Sequence, residues 1–239
     1  MTANIDPFNA ALCCENFHQP ASSSTLPTFV AHFAPSSASS IPVAKVQEYS
    51  DGTFHNYYPL GISLFFSPSS EDKQQRLLDR IDIYNPPSNS PPLARRRGGA
   101  NTPWAGYSPP RFPIVFTFNS TSLTIPPSKP DEPPRIIPRP GELLVDGRTK
   151  AKDFVAHFGE PTKKGGKLGW VPLFLEWASV GLKAPDGSAV KLGVMLELND
   201  PGPEGMQALS DEVKKKGVGG IWDQAAEWEW ADLKLFPAQ

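Results

Sequence analysis

The sequence of 239 residues has few of the residue types that cross-link chains or carry out catalysis. It contains two cysteines and four histidines, and the two cysteines, Cys13 and Cys14, are adjacent. Neighbouring cysteines rarely form a disulfide with each other, because the bond needs separated, facing Cβ atoms. The motifs His-Glu-x-x-His, Cys-x-x-Cys and Gly-x-Ser-x-Gly do not occur. The sequence therefore predicts no disulfide, no metal site, no cofactor and no catalytic residue.

Long apolar runs and an excess of one charge are also missing. The 23 Lys and Arg residues nearly balance the 25 Asp and Glu residues, and the formal net charge is −2. Binding to nucleic acid needs many basic side chains on one face, so a dedicated nucleic-acid-binding protein is not expected. No window approaches eighteen apolar residues, and the first thirty residues lack the pattern of a signal peptide. We therefore expect a cytoplasmic protein without a transmembrane segment.

Proline, by contrast, is abundant, with 28 residues, and 15 of them fall within residues 86–142. Proline has no backbone N–H and disrupts helices, so most of this stretch is predicted to be an extended, proline-rich connection. Within it, the β-branched and aromatic residues at 114–118 and 123–125 predict a short hairpin or an edge strand. Residues 1–40 are rich in serine and proline and show no sustained apolar period, which predicts a disordered tail. The remaining residues, 41–239, are predicted to form a single domain.

Two segments of that domain have the patterns of regular secondary structure. Residues 41–85 show alternating strand patterns around the turn signal Ser50-Asp51-Gly52. Residues 143–239 begin with apolar residues spaced i, i+3, i+4 and i+7 from Ala151 to Phe158, which predicts a helix, and continue with strand patterns. The predicted fold is α+β, with antiparallel β-meanders in two similar units, few helices and the proline-rich connection between the units. Asp82 alternates with apolar neighbours and is predicted to lie on a solvated strand face.

A short pattern occurs once in each unit. Leu60-Gly61-Ile62 follows an aromatic residue and leads to a returning strand that ends at Asn85. Val180-Gly181-Leu182 likewise follows an aromatic residue and leads to a strand that ends at Asn199. The pattern indicates either a duplicated β-unit or two ordinary hairpins that share turn residues.

Residues 56–66 read Asn-Tyr-Tyr-Pro-Leu-Gly-Ile-Ser-Leu-Phe-Phe and follow a Ser-Asp pair at positions 50 and 51. This segment resembles one in the phagophore assembly site factor family, and residues 158–161 partly match a Leu-Gly-x-Pro element of that family. The resemblance implies an adaptor in autophagic membrane assembly with a β-propeller protein as its partner. Separately, residues 149–198 are similar to the small α+β fold of outer-membrane assembly lipoproteins and β-lactamase inhibitor proteins, which implies a module that binds proteins.

The function hypothesis is a non-enzymatic protein-interaction module. The candidate partner-binding residues are four aromatic side chains: Tyr57, Tyr58, Trp170 and Trp177. The alternative for all four is a place in the hydrophobic core, since large aromatic side chains are usually buried there.

Two other classes of function stay open. A peripheral membrane protein would contact anionic lipid through basic loops, and Arg95, Arg96 and Arg97 are the candidate residues. Lipidation of Cys13 or Cys14 is a further option. An enzyme or small-molecule-binding protein without a recognisable motif would depend on His55 or His157.

Overall fold

The computed structural model describes residues 7–34, 40–86, 106–109, 113–125, 127, 129, 131–167, 171–199, 215 and 218–239. Over these residues the chain is mostly antiparallel β-sheet with three α-helices, which confirms the predicted β-rich α+β class. The helices are α1 (Thr25–Ala31), α2 (Ala151–Phe158) and α3 (Val218–Ala225). Helix α2 lies where the apolar spacing predicted it.

Eight strands form the main sheet, and every neighbouring pair in it is antiparallel. They are β2 (Lys45–Glu48), β3 (Thr53–Tyr57), β4 (Ile62–Pro68), β5 (Arg76–Tyr84), β10 (Lys163–Lys167), β11 (Val171–Lys183), β12 (Ala189–Leu198) and β13 (Trp230–Pro237). Their order across the sheet is β10-β11-β12-β13-β5-β4-β3-β2. Strand β13 therefore lies between β12 and β5, and β2 and β10 are the two edges.

Short connections set the register at the β2 end of the sheet. The turn at residues 50–52 joins β2 to β3, with the Tyr49 N–H donating to the Gly52 carbonyl oxygen at 2.8 Å. A 3₁₀ helix (Tyr58–Leu60) then leads to β4, and it ends at Gly61 with φ of 70°. This left-handed conformation suits glycine, which has no Cβ to clash. Both turns lie where the sequence predicted bends.

Five shorter strands complete the described β-structure. They are β1 (Phe8–Asn9), β6 (Ile114–Thr117), β7 (Ser122–Ile125), β8 (Arg135–Pro138) and β9 (Glu142–Val145). Strands β1, β6 and β9 form a three-stranded sheet, and β7 pairs with β8. The described part of residues 86–142 thus contains β6, β7, β8 and the first residue of β9 rather than extended connection alone. Strands β6 and β7 lie where β-branched and aromatic residues predict strands, but β6 pairs with β1 and β9, and β7 pairs with β8.

One face of the main sheet is the apolar side of the core. Because side chains alternate along a strand, Ile81 and Ile83 of β5 point to the same face as Leu233 and Leu235 of β13, and all four are fully buried. Buried side chains of β6, β9 and α2 belong to the same hydrophobic cluster. The core therefore lies between the main sheet and the three-stranded sheet with α2.

The N-terminal segment also belongs to the core, which differs from the predicted disordered tail over residues 7–34. Phe8 and Phe33 are buried with ring centroids 4.2 Å apart, and Phe29 contacts both rings edge-on. Cys13 is fully buried nearby. The segment consists of a two-residue strand, a 3₁₀ helix and the seven-residue α1. Elements this short show no sequence period, and tertiary contacts stabilise them.

We expect Phe33→Ala to lower the free energy of unfolding by about 3–5 kcal/mol, because it leaves a cavity in the aromatic cluster. Chemical denaturation of the full chain measures this change. Val43→Ala is the control: Val43 is 94% exposed, so its substitution should change stability by less than about 0.5 kcal/mol. A wild-type denaturation midpoint for Phe33→Ala would instead support a tail that does not pack.

Candidate functional site

The second face of the main sheet carries a row of polar side chains. The register pairs Lys45 with Asn56, Asn56 with Ser63, Ser63 with Asp82, and Asp82 with Lys234. Cross-strand partners point to the same face, so these five residues cross five adjacent strands in one line. Asn56, Ser63 and Asp82 are buried. Asp82 thus lies on the face that the sequence predicted, but it is 2% exposed rather than solvated.

A cavity of about 330 Å³ adjoins this polar row near strand β2. We call it the tyrosine groove, and its lining residues are Gln47, Tyr49, Asp51, Phe54, Asn56, Tyr58, Tyr84 and Tyr107. Strands β2, β3 and β5 and the 3₁₀ helix supply all of these residues except Tyr49, Asp51 and Tyr107. The groove therefore combines four phenol rings with amide and carboxylate groups.

Tyr107 belongs to the segment Gly106–Pro109, which lies between β5 and β6 in the chain. Its ring packs between two other tyrosines, with centroids 4.5 Å from Tyr58 and 4.0 Å from Tyr84. Its hydroxyl donates a hydrogen bond to Asn56 Oδ1 at 2.6 Å. The Ser108 N–H donates to the Tyr58 carbonyl oxygen at 2.9 Å. A segment distant from β3 in sequence is thus held by three contacts of different kinds.

Hydrogen bonds to residues of β2 and β4 hold the Asn56 side chain in place independently of Tyr107. Its Nδ2 donates to the Lys45 carbonyl oxygen at 3.1 Å and to Gln47 Oε1 at 2.9 Å. Its Oδ1 also accepts a hydrogen bond from Ser63 Oγ at 2.7 Å. Both donor hydrogens are used, so the amide orientation is settled and Oδ1 faces the groove as an acceptor.

Two phenols of the groove, those of Tyr84 and Tyr107, have raised pKa values. Burial raises the pKa of Tyr84, and the nearby carboxylates of Asp82 and Asp232 raise it further. Burial likewise raises the pKa of Tyr107. These two hydroxyls therefore keep their protons at neutral pH and act as hydrogen-bond donors and acceptors rather than as phenolate nucleophiles or bases.

A cluster of five charged side chains continues the polar face towards the centre of the sheet. Arg80 Nε lies 2.7 Å from Asp82 Oδ1, and Lys234 Nζ lies 2.7 Å from Asp232 Oδ2 and also bonds Glu197. Three carboxylates thus face two cations. Within the described part of the chain, Asp232 Oδ1 is buried without a hydrogen-bond partner. The surplus negative charge lies where water does not reach it.

Asp232 is the carboxyl group whose pKa changes in response to this excess of carboxylates. Burial raises its pKa well above the ordinary value, and the neighbouring carboxylates of Asp82 and Glu197 add to the effect, while Lys234 opposes it. Burial lowers the pKa of Lys234, but the carboxylates of Asp232 and Glu197 outweigh it and keep the ammonium charged. A buried carboxyl group that retains its proton removes the unpaired charge.

The structure separates the four aromatic residues that the sequence singled out. Tyr58 lines the groove, and Tyr57 is half-buried against the core. Trp177 is buried, and its Nε1 donates to the Gly159 carbonyl oxygen at 2.9 Å, which fits the core alternative. Trp170 lies outside the described residues. Arg95, Arg96 and Arg97 also lie outside them.

The two candidate histidines lie in ordinary structural settings. The His55 ring faces Phe66 at 4.7 Å, and burial lowers its pKa. His157 Nδ1 contacts the Asp153 backbone oxygen at 2.7 Å, whereas the Asp153 carboxylate accepts from the Lys150 N–H. Across the described residues, neither histidine is hydrogen-bonded to a carboxylate, a serine or a cysteine.

Sequence reasoning missed Tyr49, Tyr84, Tyr107 and Asn56 as site residues. The polar alternation of Arg80, Asp82 and Tyr84 along β5 is visible in the sequence and marks a polar face. The position of Tyr107 carries no such signal, because it depends on a contact with strands far away in the chain.

No protein-family model matches the chain, and neither a curated protein nor a solved structure matches it. Within the described ranges, no three His, Cys, Asp or Glu side chains come together as a metal site. None of the described helices has the length and apolar character that crossing a membrane requires.

We expect Asp232→Asn to change the pH dependence of stability. The pKa of Asp232 rises from 3.8 to about 8 on folding, so the folded protein keeps a proton that the unfolded chain releases. The contribution of this bound proton to the free energy of unfolding is fully present below pH 3.8 and is lost as pH rises to about 8. The free energy of unfolding falls by up to about 1.4 kcal/mol per pH unit over that range. The difference in unfolding free energy between wild type and Asp232→Asn should therefore fall from pH 5 to pH 8.

Denaturation at several pH values measures this difference, and Asp131→Asn is the control. Asp131 is exposed, so its substitution should shift stability by less than about 0.5 kcal/mol at every pH. A difference for Asp232→Asn that stays constant from pH 5 to pH 8 would show that Asp232 is ionised throughout.

Proposed function

We propose that this protein is a non-enzymatic protein-interaction module, and that the tyrosine groove together with edge strand β2 binds an extended segment of a partner protein. The observation that carries the proposal is the position of the groove directly beside an exposed sheet edge. A partner strand that pairs with β2 places alternate side chains over the groove.

Strand β2 has the character of an edge that accepts another strand. It is the last strand in the order of the main sheet, and β3 is its neighbour on the inner side. Large apolar side chains in and around β2 are exposed: Val43 by 94%, Val46 by 50% and Tyr49 by 53%. Unpaired edge groups flanked by exposed apolar side chains favour strand addition.

The opposite edge, β10, has features that discourage pairing. Its sequence is Lys-Lys-Gly-Gly-Lys, and its register is interrupted between Gly165 and Lys167. Lys163 and Lys164 form ion pairs with Glu176 and Glu160. Lysines and bulges are common devices that protect sheet edges from other chains. Strand β2 has one lysine, Lys45, and an uninterrupted register with β3. This contrast supports β2 as the binding edge.

The chemistry of the groove supports binding rather than catalysis. Tyrosine rings give rigid apolar area with a polar end and are enriched where proteins bind one another. The groove residues include amide oxygens, phenols and one carboxylate, Asp51, all of which can form hydrogen bonds with a partner segment.

Within this function, we propose an adaptor role in autophagic membrane assembly with a β-propeller protein as partner. The support is the resemblance over residues 56–66 to the phagophore assembly site factor family. Asn56 and Tyr58 of that segment line the groove, and Tyr57 packs against the core on the other face of β3. The resemblance and the geometry therefore point to the same part of the chain.

We also propose that the main sheet derives from two similar units joined through residues 86–142. The repeated pattern begins just before β4 in the hairpin β4–β5 and lies within β11 in the hairpin β11–β12. The two hairpins lie on either side of β13. Each hairpin ends in an asparagine that bonds the start of β13. The Asn85 N–H donates to the Ala231 oxygen, and the Asn199 N–H donates to the Glu229 oxygen, both at 2.8 Å.

We expect Val46→Lys and Tyr58→Ala each to reduce partner recovery at least tenfold in affinity purification of the tagged protein from its native cells. A charge on the edge strand opposes strand addition, and loss of the Tyr58 ring removes a wall of the groove. Quantitative mass spectrometry under growth and starvation measures recovery.

Ile136→Lys is the matched control, because Ile136 is 72% exposed on β8, away from the groove. It should recover the partner as the wild type does. Equal recovery with all three variants would refute binding through the groove and β2. A partner that is not a β-propeller protein would contradict the adaptor role while leaving the binding surface in place.

A further inference from the structure

We infer that Asn56, Tyr58 and Tyr84 of the tyrosine groove form a site that recognises a tyrosine side chain in an extended, proline-containing peptide, and that the segment Gly106–Pro109 occupies this site as an internal ligand. The inference rests on the proposed function and names the class of partner segment. The supporting observation is the set of contacts that hold the Tyr107 side chain.

The contacts of Tyr107 resemble those of a bound peptide rather than those of a strand. They come from three separate elements: Asn56 of β3, Tyr58 of the 3₁₀ helix and Tyr84 of β5. The segment Gly106–Pro109 has no regular secondary structure. Among its described residues, the backbone hydrogen bond to the rest of the protein is that from Ser108 to Tyr58. One side chain and one backbone group therefore anchor the segment.

The site selects a phenol hydroxyl. Asn56 Oδ1 is a fixed acceptor, because Ser63 and Gln47 hold its amide from the other side. A phenylalanine in place of Tyr107 would fill the same ring site and leave this acceptor without its second donor. An anionic phenol derivative would face an acceptor oxygen and the nearby Asp82, so a neutral tyrosine fits best.

The cavity beside Tyr107 has room for more of a peptide. It extends past Phe54 and Tyr49 towards β2 and has a volume of about 330 Å³. Aromatic walls of this kind bind proline rings, and the internal segment reads Gly-Tyr-Ser-Pro. A partner peptide with tyrosine near proline would reproduce the internal contacts and continue along the edge strand.

The tether sets a scale for the affinity. Tyr107 follows Tyr84 by 23 residues in the same chain, and covalent linkage over a short stretch of chain gives an effective concentration on the order of 1 mM. A free peptide that makes the contacts of Tyr107 is therefore expected to bind with a dissociation constant of about 1 mM or smaller. Binding of the free segment is therefore within reach of NMR titration.

The test titrates a synthetic peptide of residues 104–110, Trp-Ala-Gly-Tyr-Ser-Pro-Pro, into the full chain with Tyr107→Ala, which removes the internal ring from its contacts with Asn56, Tyr58 and Tyr84. We expect saturable binding with a dissociation constant of about 1 mM or tighter, and shifts of the amide signals of Asn56, Tyr58 and Tyr84. The wild-type protein should bind the same peptide at least tenfold more weakly, because its own segment competes.

A peptide with phenylalanine in place of tyrosine is the matched control, and it should bind about tenfold more weakly because one hydrogen bond is lost. Equal affinity for the two peptides would overturn the proposed selectivity. Absence of saturable binding to folded Tyr107→Ala would overturn the internal-ligand inference. If Tyr107→Ala fails to fold, Tyr107→Phe replaces it and should bind the tyrosine peptide more tightly than wild type does.

The two proposals fail in different ways. If the peptide does not bind but Val46→Lys and Tyr58→Ala still lose the partner, the proposed function stands and the internal ligand is wrong. If the peptide binds selectively but neither variant loses the partner, the groove binds tyrosine and the partner binds elsewhere.

Discussion

The antiparallel pairing of β13 with β5 is the contact on which the rest of the molecule depends. It joins strands that are about 150 residues apart in the chain, with Leu235 opposite Ile81 and Lys234 opposite Asp82. On one face this register aligns leucines and isoleucines over the core. On the other face it brings Arg80 and Asp82 beside Asp232 and Lys234. A shift of one residue would exchange the two faces, so apolar burial and charge pairing fix the same register.

The charged cluster holds in place the strands that carry the groove residue Tyr84 and its cross-strand partner Asp232. Tyr84 pairs across the sheet with Asp232, and it also packs against Tyr107. Buried charges tolerate little displacement, because any movement that separates an ion pair leaves a charge without compensation. The strands beneath the groove are therefore held by electrostatics as well as by backbone hydrogen bonds. A rigid surface loses little conformational freedom when a ligand binds.

Local patterns in the sequence predicted the features that depend on neighbours in the chain. The apolar spacing from Ala151 to Phe158 gave helix α2, and the turn signal at residues 50–52 lies between two strands. The alternation along β5 placed Asp82 on the correct face. Its burial, however, depends on Ser63 and Lys234, which reach it from two other strands. Phe8 and Phe33 show the same limit, because their packing is produced by contacts that no local period records.

The site shows this limit most clearly. Tyr58 was a candidate because residues 56–66 resemble a known family, and it lies in the groove. Trp177 was also a candidate, but its ring fills a core position beside Phe158. Tyr107 lies in a proline-rich stretch with no period, and its role follows from Asn56, 51 residues earlier. Residue type alone does not separate a surface ring from a buried one.

The central position of β13 also has a consequence for synthesis on the ribosome. Strands β2 to β5 can pair with one another as soon as they emerge, but the outer side of β5 has no partner until about 150 more residues have been made. During that interval a long strand edge with apolar side chains is exposed to other nascent chains. Closing the sheet then requires a contact of very large sequence separation, which is slow to form. The sheet is therefore expected to close only once β13 has been synthesised, and the exposed edge of β5 is expected to need protection until β13 is inserted.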